Sequence, residues 1–71
     1  MPVRLTAKEV ITVLQRHGFI CVSQKGSHKK FKNRTTGAVT IVPFHSGKLL
    51  PIGTLYSIIR ASGIDKGAFG F

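Results

Sequence analysis

The chain has 71 residues, with eleven lysines and arginines against two acidic residues and a formal net charge of +9. This length predicts one domain, residues 1–71, with a thin core, because a domain of this size buries only about 60% of its unfolded surface. A single cysteine excludes an internal disulfide. No apolar run suits a membrane span, and Met1 to Thr6 lacks the pattern of a secretion signal. We therefore expect a protein of the reducing cytoplasm.

The first predicted element is a helix from about Ala7 to Arg16. Thr6 and Glu9 have the spacing of a capping box, in which the threonine hydroxyl accepts from the Glu9 amide and the glutamate reaches back. A stripe of apolar residues with helical spacing follows. Gly18 is predicted to end the helix in the left-handed conformation, so that the chain can turn into a strand.

Three short strands are predicted next: Phe19 to Gln24, His28 to Asn33, and Ala38 to Val42. Each is rich in β-branched or alternating residues, and glycine-containing turns separate them. Turns this short join antiparallel neighbours, so the three strands should form a meander.

The pattern then returns to helical spacing, with Ile52, Leu55, Tyr56 and Ile59 on one face and Gly63 as the stop. The tail, residues 65–71, is too glycine-rich for a helix to be predicted, and its structure stays undetermined. The order α-β-β-β-α predicts an α+β fold, with two helices on one face of a three-stranded antiparallel sheet. That is the arrangement of double-stranded-RNA-binding domains, an analogy that by itself fixes no function.

The segment from Gln24 to Phe31 sets one histidine among lysines. Strand alternation puts His28, Lys30 and Lys32 on one face and Phe31 on the other, toward the helices. Histidine can both take and give a proton near neutral pH, and clustered lysines attract phosphate. We interpret His28 as a catalytic residue on the open face, although its position alone suits an ordinary exposed histidine equally well.

The scarcity of carboxylates narrows the chemistry. Glu9 belongs to the capping box and Asp65 to the tail, so the chain lacks the converging carboxylates of a two-metal nuclease. The three histidines and Cys21 match no familiar zinc pattern, and Cys21 is expected to be a small core residue. We expect neither a metal nor a cofactor.

Metal-free cleavage of RNA remains, because the RNA 2′-hydroxyl can attack the adjacent phosphorus. The protein then supplies a base, an acid and cations for the developing charge. His28 together with Lys30, Lys32 or Lys48 would provide this minimal set. DNA has no 2′-hydroxyl and would not be cut by this route.

Two further places are candidates for RNA contact. His45, in the loop after the third strand, would support RNA binding or supply a second proton transfer, and a loop histidine without a role fits equally well. The helix start at Gly53 and Thr54 offers free amides to phosphate, with ordinary capping or packing as the favoured alternative. The residues expected to bind RNA are Lys25, Ser27, Lys30, Lys32, His45, Lys48, Gly53 and Thr54.

Taken in order, the short motifs resemble the HicA family of mRNA interferase toxins over residues 5–64. The motifs are Gly18-Phe19, Gly26-Ser27-His28, Pro43-x-His45, and Gly53-Thr54-Leu55 with the Ile58 to Ile64 segment. The resemblance implies a double-stranded-RNA-binding-domain-like fold, cleavage of mRNA that arrests translation and growth, His28 as the catalytic residue, and a HicB antitoxin partner encoded nearby. The tail departs from the family, where it often continues as helix.

The alternative is a non-catalytic RNA-binding module that uses the same basic face. His28 discriminates between the two, because one neutral histidine adds little to a field of several lysines. A DNA-binding regulator is less well supported, since the second helix offers only Tyr56 and Arg60 as polar readers of bases.

Overall fold

In the computed structural model, which describes residues 4–71, two helices cover one face of a three-stranded antiparallel sheet. The predicted element order and fold class are confirmed, with strand ends displaced by one residue. The prediction about a secretion signal falls partly on residues 1–3, outside the described residues. The elements are helix α1 (Ala7–Arg16), strands β1 (Phe19–Lys25), β2 (His28–Asn33) and β3 (Val39–Pro43), helix α2 (Ile52–Ser62), and the 3-10 helix Lys66–Phe69.

Helix α1 begins at the predicted capping box. The Glu9 amide donates to the Thr6 hydroxyl at 3.2 Å, and the Thr6 amide donates to the Glu9 carboxylate at 2.9 Å. The Thr6 hydroxyl also donates to the Glu9 carboxylate at 3.1 Å. The two bonds that the carboxylate accepts, first the one from the Thr6 backbone amide and then the one from the hydroxyl, lower the pKa of Glu9 below its ordinary value. A lowered pKa in the folded state means that the cap stabilises the helix at neutral pH and weakens as the pH falls through that pKa.

Strand β2 lies at the centre of the sheet, between β1 and β3. Its residue Phe31 is 1% exposed and points to the helices, as does Val42 of β3. The side chains at the alternate positions of β2 point away from the helices. The buried apolar residues form one cluster: Ala7, Val10, Leu14, Phe19, Phe31, Val42, Leu50, Leu55, Ile58, Ile59 and Phe69.

Asn33 ties the end of β2 to the end of α1. Its buried side-chain amide donates to the His17 carbonyl at 2.8 Å. Its side-chain oxygen accepts from the backbone amides of Thr35 and Thr36 at 2.9 and 3.1 Å. One polar side chain therefore fixes both the turn that leads to β3 and the position of the helix over the sheet.

The prediction that Cys21 is a core residue is wrong, because its side chain is exposed. Cys21 pairs with the buried Phe31, but in the whole of β1 only Phe19 is buried. Strand β1 lies at an edge of the sheet, and the helix layer covers only its first residue. A bulge between Cys21 and Ser23 further disturbs the alternation of this strand.

The tail adds a buried side chain to the core. Its 3-10 helix places Phe69 at 3% exposure within the apolar cluster. The last residue, Phe71, packs on Tyr56 of α2 with 5.4 Å between ring centroids. Among the helices of residues 4–71, none combines the length and apolar character needed to cross a membrane.

We predict that Phe69→Ala lowers the free energy of unfolding by about 3 kcal/mol, because it removes a buried aromatic ring from a small core. Urea unfolding followed by circular dichroism measures this change. Lys66→Ala, at an exposed position of the same 3-10 helix, is the control. A Phe69→Ala variant as stable as the control would show that the tail does not contribute to the core.

Candidate active site

The open face of the sheet consists of three cross-strand rows centred on β2. Opposite residues of neighbouring strands share a face, with Cβ atoms about 5 Å apart. The central positions of the rows are His28, Lys30 and Lys32, and all three side chains are exposed. The rows, written from β1 to β3, are Lys25–His28–Pro43, Ser23–Lys30–Ile41 and Ile20–Lys32–Val39.

The nearest charged neighbours of His28 on this face are two lysines. Lys25 lies directly opposite it on β1, and Lys30 lies two positions along β2, about 7 Å away at the backbone. Lys32 is two positions further, about twice that distance, and so it does not contact His28 directly. The first row thus places the His28 imidazole directly between Lys25 of β1 and Pro43 of the edge strand β3.

The loop after β3 is held against the turn between β1 and β2. The Phe44 amide donates to the Ser27 carbonyl at 2.6 Å. On the helix side, the Lys29 ammonium lies 4.3 Å from the centre of the Phe44 ring, a cation–π contact. His45 follows Phe44 directly, so its exposed side chain lies beside this turn, at the same end of the sheet as His28.

The same loop also places Lys48 near this end of the sheet. The Lys48 amide donates to the His45 carbonyl at 3.1 Å, and Gly47 between them has a φ of +76°, in the left-handed region that suits glycine. Ser27, His28, His45 and Lys48 are therefore grouped at one end of the sheet, together with Lys25.

Gly53 and Thr54 are placed elsewhere. They lie in the first turn of α2, and Thr54 lines a groove beside β3 rather than the open face. Thr54 does not cap the helix, since Pro51 holds the cap position without a side-chain hydrogen bond. No hydrogen bond within residues 4–71 joins either residue to the His28 end of the sheet.

The structure gives Lys25 and Lys29 individual positions, whereas the sequence showed them only as members of a cluster of basic residues. Lys25 is the direct cross-strand neighbour of His28, and the two-residue turn Gly26-Ser27 was the signal that could have shown it. Lys29 supports the loop through Phe44, a contact between distant elements that no local pattern encodes.

This arrangement suits proton transfer next to a bound phosphate. His28 is exposed to solvent and flanked by cations, so a polyanion can approach it without displacing any packed side chain. Within residues 4–71 the side chains that bind metals, those of histidine, cysteine, aspartate and glutamate, do not gather in groups of three or more.

Comparison with known proteins gives one family. The family model described as the HicA toxin of bacterial toxin–antitoxin systems matches residues 7–64. No curated protein matches the chain. The matched range includes both helices, the whole sheet and every candidate site residue, and only the 3-10 helix and the chain ends lie outside it. The chain therefore belongs to the HicA family, the toxins of bacterial toxin–antitoxin systems.

Proposed function

We propose that this toxin is a metal-independent endoribonuclease, an mRNA interferase that acts on mRNA in the cytoplasm and so arrests translation and growth. The observation that carries the proposal is the row Lys25–His28–Pro43 on the open face. It places a histidine between a cation and an exposed strand edge, where a phosphodiester can lie across it. Membership of the HicA family gives the chain the role of a toxin. The row Lys25–His28–Pro43 is the basis for proposing RNA cleavage as its activity.

The proposed reaction uses a hydroxyl of the substrate as nucleophile. A base removes the proton from the 2′-hydroxyl, and the 2′-oxygen forms a bond to the adjacent phosphorus while the bond to the 5′-oxygen breaks. An acid returns a proton to the departing 5′-oxygen. The products are a 2′,3′-cyclic phosphate and a 5′-hydroxyl. His28 carries out one of the two proton transfers.

Lysines stabilise the charge that develops on the phosphoryl oxygens. Lys25 and Lys30 are the nearest to His28 and act at the reacting phosphate, whereas Lys32 and Lys48 hold flanking phosphates. The second proton transfer falls to a group at the same end of the sheet, and Lys25 and His45 are the closest candidates by position. Ser27 contributes a turn that presents this row.

We predict that His28→Ala lowers the cleavage rate by about 10²–10⁴, the usual effect of losing one proton-transfer group. The fold should persist because the side chain is exposed and makes no hydrogen bond within the described chain. Cleavage of a labelled RNA by purified protein measures the rate, with circular dichroism to verify folding. His17→Ala is the control and should cleave normally, because this exposed histidine lies at the end of α1, where its ring nitrogen is 2.9 Å from the Val13 carbonyl oxygen, and not on the open face.

The substrate provides a second control for the same prediction. An oligonucleotide with 2′-deoxy sugars should bind and survive, and EDTA should leave RNA cleavage unchanged. If folded His28→Ala cuts RNA at the normal rate, the chain uses another catalytic group. If no RNA is cut by the wild-type protein while RNA binding persists, the non-catalytic binding module is the better description.

We predict that replacing Lys25, Lys30, Lys32 or Lys48 singly by glutamine weakens RNA binding. Each loss should also lower the slope of log affinity against log salt concentration by up to ~1 unit, because one phosphate contact disappears. Titration of RNA at several salt concentrations measures both quantities. Lys66→Gln, in the exposed tail, is the control. Equal slopes in all five variants would place the RNA path elsewhere.

Single-turnover cleavage at saturating RNA separates binding from chemistry in the same set. A variant that remains slow when fully bound has lost a catalytic group. His45→Ala, tested beside Lys25→Gln, identifies which of the two supplies the second proton transfer.

We further propose that a HicB-like acidic antitoxin inhibits the toxin by covering the open face around His28, Lys30 and Lys32. Two features of the face favour a protein partner. The central strand is cationic, and its flanking strands expose aliphatic side chains, including Ile20 at 42% and Ile41 at 53%. The apolar faces of the helices, in contrast, are already buried in the core.

We predict that Lys30→Glu slows association with the antitoxin by at least about tenfold at low salt, because steering between opposite charges is replaced by repulsion at the face centre. Stopped-flow measurement gives the association rate, and Lys66→Glu is the matched control in the tail. Amide exchange locates the contact. Protection of the helices alone, with residues 25–33 as exposed as in the free toxin, would contradict occlusion of the open face.

A further inference from the structure

Two hydrogen bonds beside β3 show which of its backbone groups face β2. The Asn33 amide donates to the Ala38 carbonyl at 2.9 Å, and the Phe44 amide donates to the Ser27 carbonyl at 2.6 Å. In an antiparallel pair, hydrogen-bonded and non-hydrogen-bonded residues alternate. The residues of β3 that bond to β2 are therefore Thr40 and Val42.

The backbone groups of Val39 and Ile41, and the carbonyl of Pro43, consequently point to the opposite edge. Strand β3 has no second neighbour in the sheet, and no hydrogen bond within residues 4–71 uses these groups. Proline has no amide hydrogen, so the edge presents three acceptors and two donors along one extended line. The other sheet edge, on β1, is interrupted by its bulge, a device that discourages strand addition.

A groove of about 290 Å³ runs between this edge and α2. The helix contributes residues spaced by three and four positions, so they form one helical face. Two of these helix residues, Ser57 and Ala61, are small, and both are exposed in the groove. A further strand lies about 4.8 Å from its neighbour, and small helix residues leave room for it. The lining residues are Val39, Thr40, Ile41, Thr54, Ser57, Ile58 and Ala61.

We propose that the edge of β3 and this groove bind an extended acidic segment of a partner protein as a fourth strand. Alternate side chains of the segment would enter the groove against Ser57 and Ala61, where small apolar groups fit. The others would lie on the open face, about 10 Å from Lys30 and Lys32, two strands away. The preferred segment thus alternates acidic and small apolar residues. This binding does not depend on the proposed RNA cleavage.

The charge of the chain selects this occupant over two others. A second copy would bring another +9, so pairing of two identical edges is opposed by repulsion. RNA lacks a peptide backbone to pair with β3, and the groove lining carries no cation. The acidic residues of the chain, Glu9 on α1 and Asp65 before the tail helix, do not line the groove, so nothing there repels an acidic segment.

The test uses the whole chain and a capped peptide of about eight residues that repeats Glu-Val, with amide exchange followed by NMR. At a peptide concentration about ten times its Kd, exchange of the Val39 and Ile41 amides should slow about tenfold, as expected for a site protected only when occupied. The Thr40 and Val42 amides, already bonded to β2, should change little. Protection of Val39 and Ile41 alone distinguishes strand addition from diffuse binding to the lysines.

Two controls address the peptide. A peptide of the same composition with all glutamates before all valines should give no protection at the edge. Two further peptides carry N-methyl groups on alternate amides, one on the odd-numbered residues and the other on the even-numbered residues. In a bound strand only one of these two sets of peptide amides faces β3. One methylated peptide should therefore lose the protection of the edge, and the other should keep it. Equal protection by the block peptide, or by both methylated forms, would overturn the proposal.

A third control addresses the protein. Ala61→Arg should block the groove and abolish protection, whereas Ala68→Arg, the same substitution at an exposed residue of the tail helix, should not. If the Ala61→Arg variant does not fold, the methylated peptides still test the proposal, because they are used with the unaltered protein. Protection of Val39 and Ile41 that rises with protein concentration in the absence of peptide would instead identify a second copy as the occupant and overturn the proposal.

Discussion

The burial of Phe31 in the middle of the central strand is the constraint on which the rest of the molecule depends. With this ring 1% exposed against the helices, alternation sends His28, Lys30 and Lys32 to the open face. If β2 paired with both of its neighbours one residue out of register, the ring would be exposed and lysine charges would be buried, at a cost of several kcal/mol for each unpaired ion. Asn33 then fixes the end of the strand against α1. One packed aromatic residue and one amide therefore orient the whole basic face.

The parts of this architecture that the sequence predicts are those encoded by short-range chemistry. The capping box at Thr6 and Glu9 and the left-handed glycines Gly18 and Gly63, with φ of +88° and +70°, give the helix boundaries from local spacing. The orientation of His28 follows from alternation in the same way. The exposure of Cys21 could not be predicted, because it depends on how far the helices extend over an edge strand and on a bulge that forms only in the pairing. Burial of Phe69 likewise depends on space that the completed fold leaves open.

The basic residues of the chain do not all serve one surface. Lys29 has its ammonium group over the Phe44 ring on the helix side of the sheet, and so it stabilises the loop that positions His45 instead of adding to the open face. Lys25, at the other end of the turn, is the cation nearest to His28 across the strands. Two lysines four positions apart, indistinguishable by composition, thus act on the candidate site in different ways. This difference is invisible to an argument from net charge and is set by which face of the sheet each side chain joins.

The open face combines a cationic central strand with exposed aliphatic side chains on both flanking strands, and these two features would act differently on the two proposed partners, RNA and an acidic antitoxin. RNA can satisfy the lysines of β2, but its phosphates gain nothing from the aliphatic side chains on either side. A protein partner that covers the face satisfies the same cations and also removes Ile20, Val39 and Ile41 from water. These side chains are 42%, 38% and 53% exposed, so each still has apolar surface to bury, worth about 1 kcal/mol. In the proposed complex, burial of these side chains would stabilise a protein partner on the face and would add nothing to the contacts of RNA phosphates. Discrimination between substrate and inhibitor would then come from the apolar edges of the face, while the charged centre, which both require, provides attraction to either.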